Sequence, residues 1–194
     1  MAFAITDFKT NLKQGGARPS LFTVELQYPQ HSAIKQPTSG ISKFLVKGAS
    51  IPASTVGSYD VFYHGRAVKV GGDRQFDTWE TTIVNDEDYS IRIALEQWMD
   101  IIAEHRLNTR GEGLSLKEGE DAGYKKSISV TQYKKTGDEA HHYHFLGAFP
   151  TALSTIALDW GTQEIEEYTC TWTYDRWMPG PGGVHTLQSE SHRT

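Results

Sequence analysis

The strongest constraint on the fold is a repeated alternation of apolar and polar residues with a period of two. Segment 21–28 places Phe22, Val24 and Leu26 on one side and Glu25 on the other. A strand points successive side chains to opposite faces, so this pattern predicts a half-buried strand. Other segments have the same pattern or a strand-forming composition: 41–47, 61–70 with a turn at His64-Gly65, 76–84, 127–134, 142–149, 152–158 and 165–177.

One segment departs from this period and indicates a helix at about 90–104. Ile91, Leu95, Trp98 and Ile102 follow helical spacing, and acidic residues precede the segment, where the helix dipole favours negative charge. Ile93 projects among polar neighbours. It is either a single exposed apolar residue or a contact with a neighbouring subunit.

Short strands with one helix predict a mainly β fold, an antiparallel β-sandwich or barrel with one flanking α-helix. The 194 residues suit one domain at 21–177, with an N-terminal arm at 1–20 and a flexible C-terminal tail at 178–194. Segment 105–126 has four glycines and little periodicity, and we expect it to form a long loop.

Charge and cysteine content exclude several function classes. A net charge of −5 disfavours general nucleic-acid binding, which needs cations to replace the phosphate counterions. The single cysteine, Cys170, excludes an internal disulfide framework. Neither a signal peptide nor a run of about 18 apolar residues occurs, so we expect a protein without a membrane partner that is made in a cytoplasm.

The best catalytic candidates are His142 and His144, which share one face of a predicted strand and could both reach a metal ion. No third ligand is evident, so a polar strand face is the favoured interpretation over a His-metal β-barrel enzyme. Cys170 alternates with aromatic residues and is expected to be buried and inert. We therefore expect no enzyme activity, no cofactor and no metal.

Several blocks, in this order, resemble the tail tube protein family of contractile-tailed (T-even-like) bacteriophages. The blocks are 61–70, Gly72 to Trp79, 83–92 running into 95–99, 107–110, Gly147-Ala148-Phe149-Pro150, Leu158-Asp159-Trp160, and 165–168 with 174–177. Each block is weak alone, but the Asn-Asp-Glu-Asp run at 85–88 before an amphipathic helix is specific. The resemblance extends over about 21–177.

The resemblance implies a structural subunit that forms hexameric rings. The rings stack into the inner tube of a contractile tail, which conducts the DNA genome without specific binding. Implied partners are the sheath, baseplate and tail terminator proteins, and the implied location is the virion after assembly in the host cytoplasm. A baseplate tube protein and a type VI secretion-like tube protein remain alternatives, and no catalytic residue is carried over.

Six subunits at −5 each carry −30, which would keep DNA from adhering to a lumen. Two polar strand faces are candidate linings, and neither is preferred: Glu167, Thr169, Thr171 and Thr173, or Ser127, Ser129 and Thr131. The N-terminal arm is expected to order on a neighbouring subunit. The candidate interface residues come from the helix, from the cations of the long loop and its start, and from the apolar residues of the arm: Ile93, Arg106, Arg110, Lys117, Phe3 and Phe8.

Overall fold

The computed structural model of the chain describes residues 5–12, 16–106, 109 and 123–180. Its elements follow in chain order: α1 (Ile5–Asn11), β1 (Phe22–Leu26), α2 (Ser42–Leu45), β2 (Val46–Ala49), β3 (Thr55–Tyr63), β4 (Arg66–Gln75), β5 (Trp79–Val84), α3 (Ser90–Ile102), β6 (Lys126–Tyr133), β7 (Glu139–Leu153), β8 (Glu167–Thr173) and β9 (Arg176–Pro179). In the described ranges, no helix is long and apolar enough to cross a membrane.

The long strand β7 belongs to two antiparallel sheets. Its first part pairs with β6 and β9, and β6 pairs with β1, which gives sheet A. Its last residues, from Phe149, pair with β8, and the order continues through β5 to β2, which gives sheet B. Gly147 lies near the end of the first part with a φ of +68°, and a Cβ there would collide with the Asp175 carboxylate. The predicted antiparallel sandwich is thus confirmed.

The inner faces of the two sheets share one apolar core. Trp79 of sheet B stacks on Phe145 of β7 with ring centroids 4.4 Å apart. Both are almost completely buried, as are Val24 and Ile128 from sheet A. Each such side chain contributes about 1.5–3 kcal/mol when it leaves water, so the core holds the sheets face to face.

Helix α3 closes one side of this core and confirms the predicted helix to within two residues at its end. Its Trp98 is fully buried, contacts Trp172 at 5.9 Å between centroids, and donates from Nε1 to the Tyr124 carbonyl at 2.8 Å. The acidic run contributes at the helix start, where Asp86 accepts from the Ser90 backbone N–H at 2.9 Å. The helix dipole favours negative charge at this end of the helix.

Three strand predictions need correction. Segment 41–47 is not one strand, because α2 occupies Ser42–Leu45 and β2 begins only at Val46. The buried Ser42 hydroxyl accepts from the Leu26 N–H at 3.1 Å, which ties that helical turn to β1. Segment 152–158 ends β7 at Leu153 and then continues as a connection without strand structure. Segment 165–177 is not one strand either, because it contains β8 and the first residues of β9, which pairs with β7.

Candidate functional site

The β3–β4 hairpin is a two-stranded sheet that pairs with neither main sheet. His64 and Gly65 both have positive φ at its turn, which matches the twist of a two-residue hairpin. The sequence predicted this turn, but the strands are much longer than the predicted 61–70. Every residue of β3 is exposed.

One face of the hairpin is apolar and uncovered. Tyr59 pairs with Val70, and Val61 pairs with Val68, so their side chains share this face. Tyr59 is 55% exposed, Val61 47% and Val68 54%. An isolated two-stranded ribbon is marginally stable in water, and its unpaired edges attract other strands. The hairpin therefore lacks a packing surface within the described part of its own chain.

The first predicted lumen lining lies on the outward face of sheet B. Thr169, Thr171 and Thr173 are half-buried there and Glu167 is exposed. The register places Glu80 beside Thr171, so the face combines small hydroxyls with carboxylates. Its cation Lys47 lies 2.5 Å from a Glu167 oxygen, so that charge is paired.

The second predicted lining lies on the outward face of sheet A, on the opposite side of the sandwich. Ser127 and Ser129 are half-buried there. Thr131 is buried, and its hydroxyl lies 3.1 Å from Nδ1 of His142 on the neighbouring strand. Thr131 therefore offers little surface to a lumen.

His142 and His144 lie side by side on this same face, with ring centroids 4.2 Å apart. Burial, and then the neighbouring His142, lower the pKa of His144. Within the described residues no cluster of three His, Cys, Asp or Glu side chains could hold a metal ion. The two histidines contact each other, and the described residues supply no third ligand beside them.

Cys170 is fully buried, as predicted. Burial raises the pKa of its thiol far above its ordinary value, and Arg92 offsets this only in part. Because the thiolate is the nucleophile, this cysteine is unreactive at neutral pH.

Of the predicted interface residues, Ile93 and Arg106 have side chains in the described part of the chain. Ile93 is half-buried on α3, beside Ile156 and Leu158 of the β7–β8 connection. Arg106 is exposed shortly after α3 ends. Phe3, Arg110 and Lys117 lie outside the described residues, and the Phe8 side chain does too, although its backbone is in α1.

Two exposed apolar surfaces were missed by the sequence reasoning. The hairpin face is one, and the β7–β8 connection is the other: Leu158 is 81% exposed, Ile165 72%, and Trp160 fully so. The available signal was three large apolar residues in a segment without periodicity. The described part of the subunit leaves these residues uncovered, so they indicate contact with another molecule.

Comparison with known proteins relates the chain to phage tail tube proteins. A family model described as phage tail tube protein matches residues 17–179. The tail tube protein gp19 of Enterobacteria phage T4 is 32% identical over 163 residues, which is 83% of this chain and 90% of gp19. Its counterpart in phage T6 is 31% identical over the same shares.

Solved structures show the same fold. The tube-terminating cap of the anti-feeding prophage matches with a TM-score of 0.58 at 17% identity, over 84% of this chain and 89% of that one. The PVC sheath–tube complex, an extracellular contractile injection system in its extended state, matches with 0.56 at 15% identity, over 92% and 98%. The predicted resemblance is confirmed. Since the family model and two relatives above 30% identity each span most of the sequence, this chain belongs to the phage tail tube protein family.

Proposed function

We propose that this chain is the structural subunit of the tube of a contractile phage tail, with six copies in a ring and rings stacked along the axis. The uncovered β3–β4 hairpin carries the proposal. Its apolar face and free strand edges need a partner, and identical copies supply one in a repeating contact. Such a contact closes into rings or continues as a filament.

The outward face of sheet B is our choice for the lumen. This face carries threonines and carboxylates, and the charge of Lys47 there is paired with Glu167. The outward face of sheet A carries His142 and His144 instead, and Thr131 is buried there, so this face offers less hydroxyl surface. A lining whose cations are already paired lets a polyanion slide past, because binding there would release no counterions.

The sheath, the tail terminator and the baseplate are the proposed partners in the virion. Support comes from the relatives: structures with this fold come from a sheath–tube complex and a tube-terminating cap. A baseplate tube protein is the second candidate, because a chain of the anti-feeding prophage baseplate matches with a TM-score of 0.56. The similarity to gp19 favours the main tube. No reaction or cofactor is part of the proposal.

Negative-stain microscopy and sedimentation over a range of protein concentrations test the proposal. We expect rings or tubes of one diameter with a stain-filled centre. A monomer at every concentration would count against it.

A further inference from the structure

A groove lies between the outer side of α3 and the β7–β8 connection. Its apolar lining comes from Tyr89, Ile93, Ile156 and Leu158. Ile93 and Ile156 are half-buried, and Leu158 projects at the edge with 81% of its surface exposed. The groove is therefore an apolar surface that the described part of the subunit does not cover.

Negative charge surrounds the groove. The cation that lines the groove is engaged, because Arg92 donates to Glu96 at 2.7 Å. On the adjoining surface, Lys47 is paired with Glu167. The carboxylates in the groove and on the adjoining surface are Asp86, Glu87, Asp88, Glu96, Asp159, Glu164, Glu166 and Glu167. An occupant must therefore combine an apolar face with positive charge.

The N-terminal arm of this same chain has that chemistry. Its first 18 residues contain Lys9, Lys13 and Arg18 against a single acidic residue, Asp7. In α1, Ile5 is 69% exposed, and Leu12 just after the helix is 41% exposed. A seven-residue helix is unstable alone, so burying these side chains would stabilise it.

The arm and the groove adjoin opposite ends of β7. The arm enters the fold at Phe22, which pairs with Gln132 beside the β6–β7 turn, where β7 begins. The groove lies beyond Leu153, where β7 ends.

We propose that α1 of one copy docks in this groove of another copy stacked on it head to tail. This rests on the proposed tube function and specifies one of its contacts. The contact is heterologous, so it repeats along an axis and joins successive rings. It also gives Ile93 its role, as part of the apolar surface that receives the helix.

A disulfide between two introduced cysteines tests the docking. The double variant Ile5→Cys with Leu158→Cys is assembled and then oxidised, and the native Cys170 does not interfere because it is buried. We expect a ladder of linked chains on a denaturing gel. The matched control is Ile5→Cys with Ile51→Cys, since Ile51 is a similarly exposed apolar residue outside the groove, and it should stay unlinked. Normal tubes without linked chains, or a link within one chain, would overturn the docking while leaving the tube function standing.

If no tubes form, the proposed tube function is rejected. A binding measurement then tests the docking of α1 in the groove by itself. A fluorescein-labelled peptide of residues 1–18 is titrated with the full chain and followed by anisotropy. We expect saturable binding that weakens in high salt, falls about tenfold or more in Leu158→Asp and is unchanged in Ile51→Asp. No binding, or equal binding to both variants, would overturn the docking.

Discussion

Gly147 sets the angle at which β7 passes from one sheet to the other. Its φ of +68° is a conformation that side chains with a Cβ rarely adopt. The space a Cβ would need is occupied by the Asp175 carboxylate, which accepts from Lys125 Nζ at 2.7 and 2.8 Å. Glycine is therefore required at position 147 both by the positive φ and by the lack of space for a Cβ.

Replacing Gly147 by Ala should lower the free energy of unfolding by about 1–3 kcal/mol, because the variant must strain the backbone and displace Asp175. Urea unfolding of the unassembled subunit measures this. Gly71→Ala is the matched control, since a Cβ at Gly71 would meet no atom within 4 Å and the residue has no positive φ. Equal unfolding midpoints for the two variants would contradict the account.

His144 should make the subunit less stable in mild acid. Burial lowers its pKa below the ordinary 6.5, so at pH values just under 6.5 the unfolded chain binds more protons than the folded one. Stability from this residue is therefore present above pH 6.5 and is lost as the pH falls towards the folded pKa. His144→Gln should flatten the dependence of the urea midpoint on pH between about 7.5 and 5. Parallel profiles for wild type and His144→Gln would rule this out.

The location of a single residue could be predicted where its burial followed directly from the alternation along a strand. Cys170 alternates with aromatic residues, and this pattern is enough to place it in the core. The fate of Ile93 was not decided, because its neighbours Ile156 and Leu158 are far away in sequence and only the folded connection brings them to α3.

The elements show where periodicity works and where it fails. Helix α3 was found because four large residues keep helical spacing without interruption. The β3–β4 hairpin was underestimated because Gly57, Ser58 and Asp60 break the apolar pattern, although the two strands stay paired on both sides of a register shift at Gly57. In β7, the left-handed Gly147 and the register shift between Pro150 and Ala152 interrupt the alternation, so one strand looked like two segments.

The hairpin should be needed for assembly but not for folding. Val61→Asp places a charge on its apolar face, which the proposal buries against another copy, so we expect no tubes in electron micrographs. Val61 is 47% exposed in the subunit, so the unfolding free energy should change by less than about 0.5 kcal/mol. The control Val61→Ile keeps the face apolar and should assemble. Abundant normal tubes from Val61→Asp would show that this face is not buried.

For the whole molecule, alternation separates the core side of a strand from the outer side, and it cannot tell one outer side from another. Both predicted linings are outward faces, and they lie on opposite sides of the sandwich. The choice between them depends on how copies meet, and in our proposal that is set by the hairpin and the groove rather than by the strands themselves.

A heavy-atom label distinguishes the two faces. Assembled tubes of Thr171→Cys, treated with a gold-cluster maleimide, should show density along the axis, because sheet B faces the bore in our proposal. Tubes of Ser129→Cys should carry the label outside. The reverse distribution would assign the lumen to sheet A.

The most direct test of the tube assembly is a cryo-EM reconstruction of the purified chain. We predict sixfold rings stacked along one axis, an open centre lined by strands from every subunit, and the β3–β4 hairpin covered by a neighbouring copy. Separate subunits, or an assembly in which the hairpin face stays in solvent, would contradict the account.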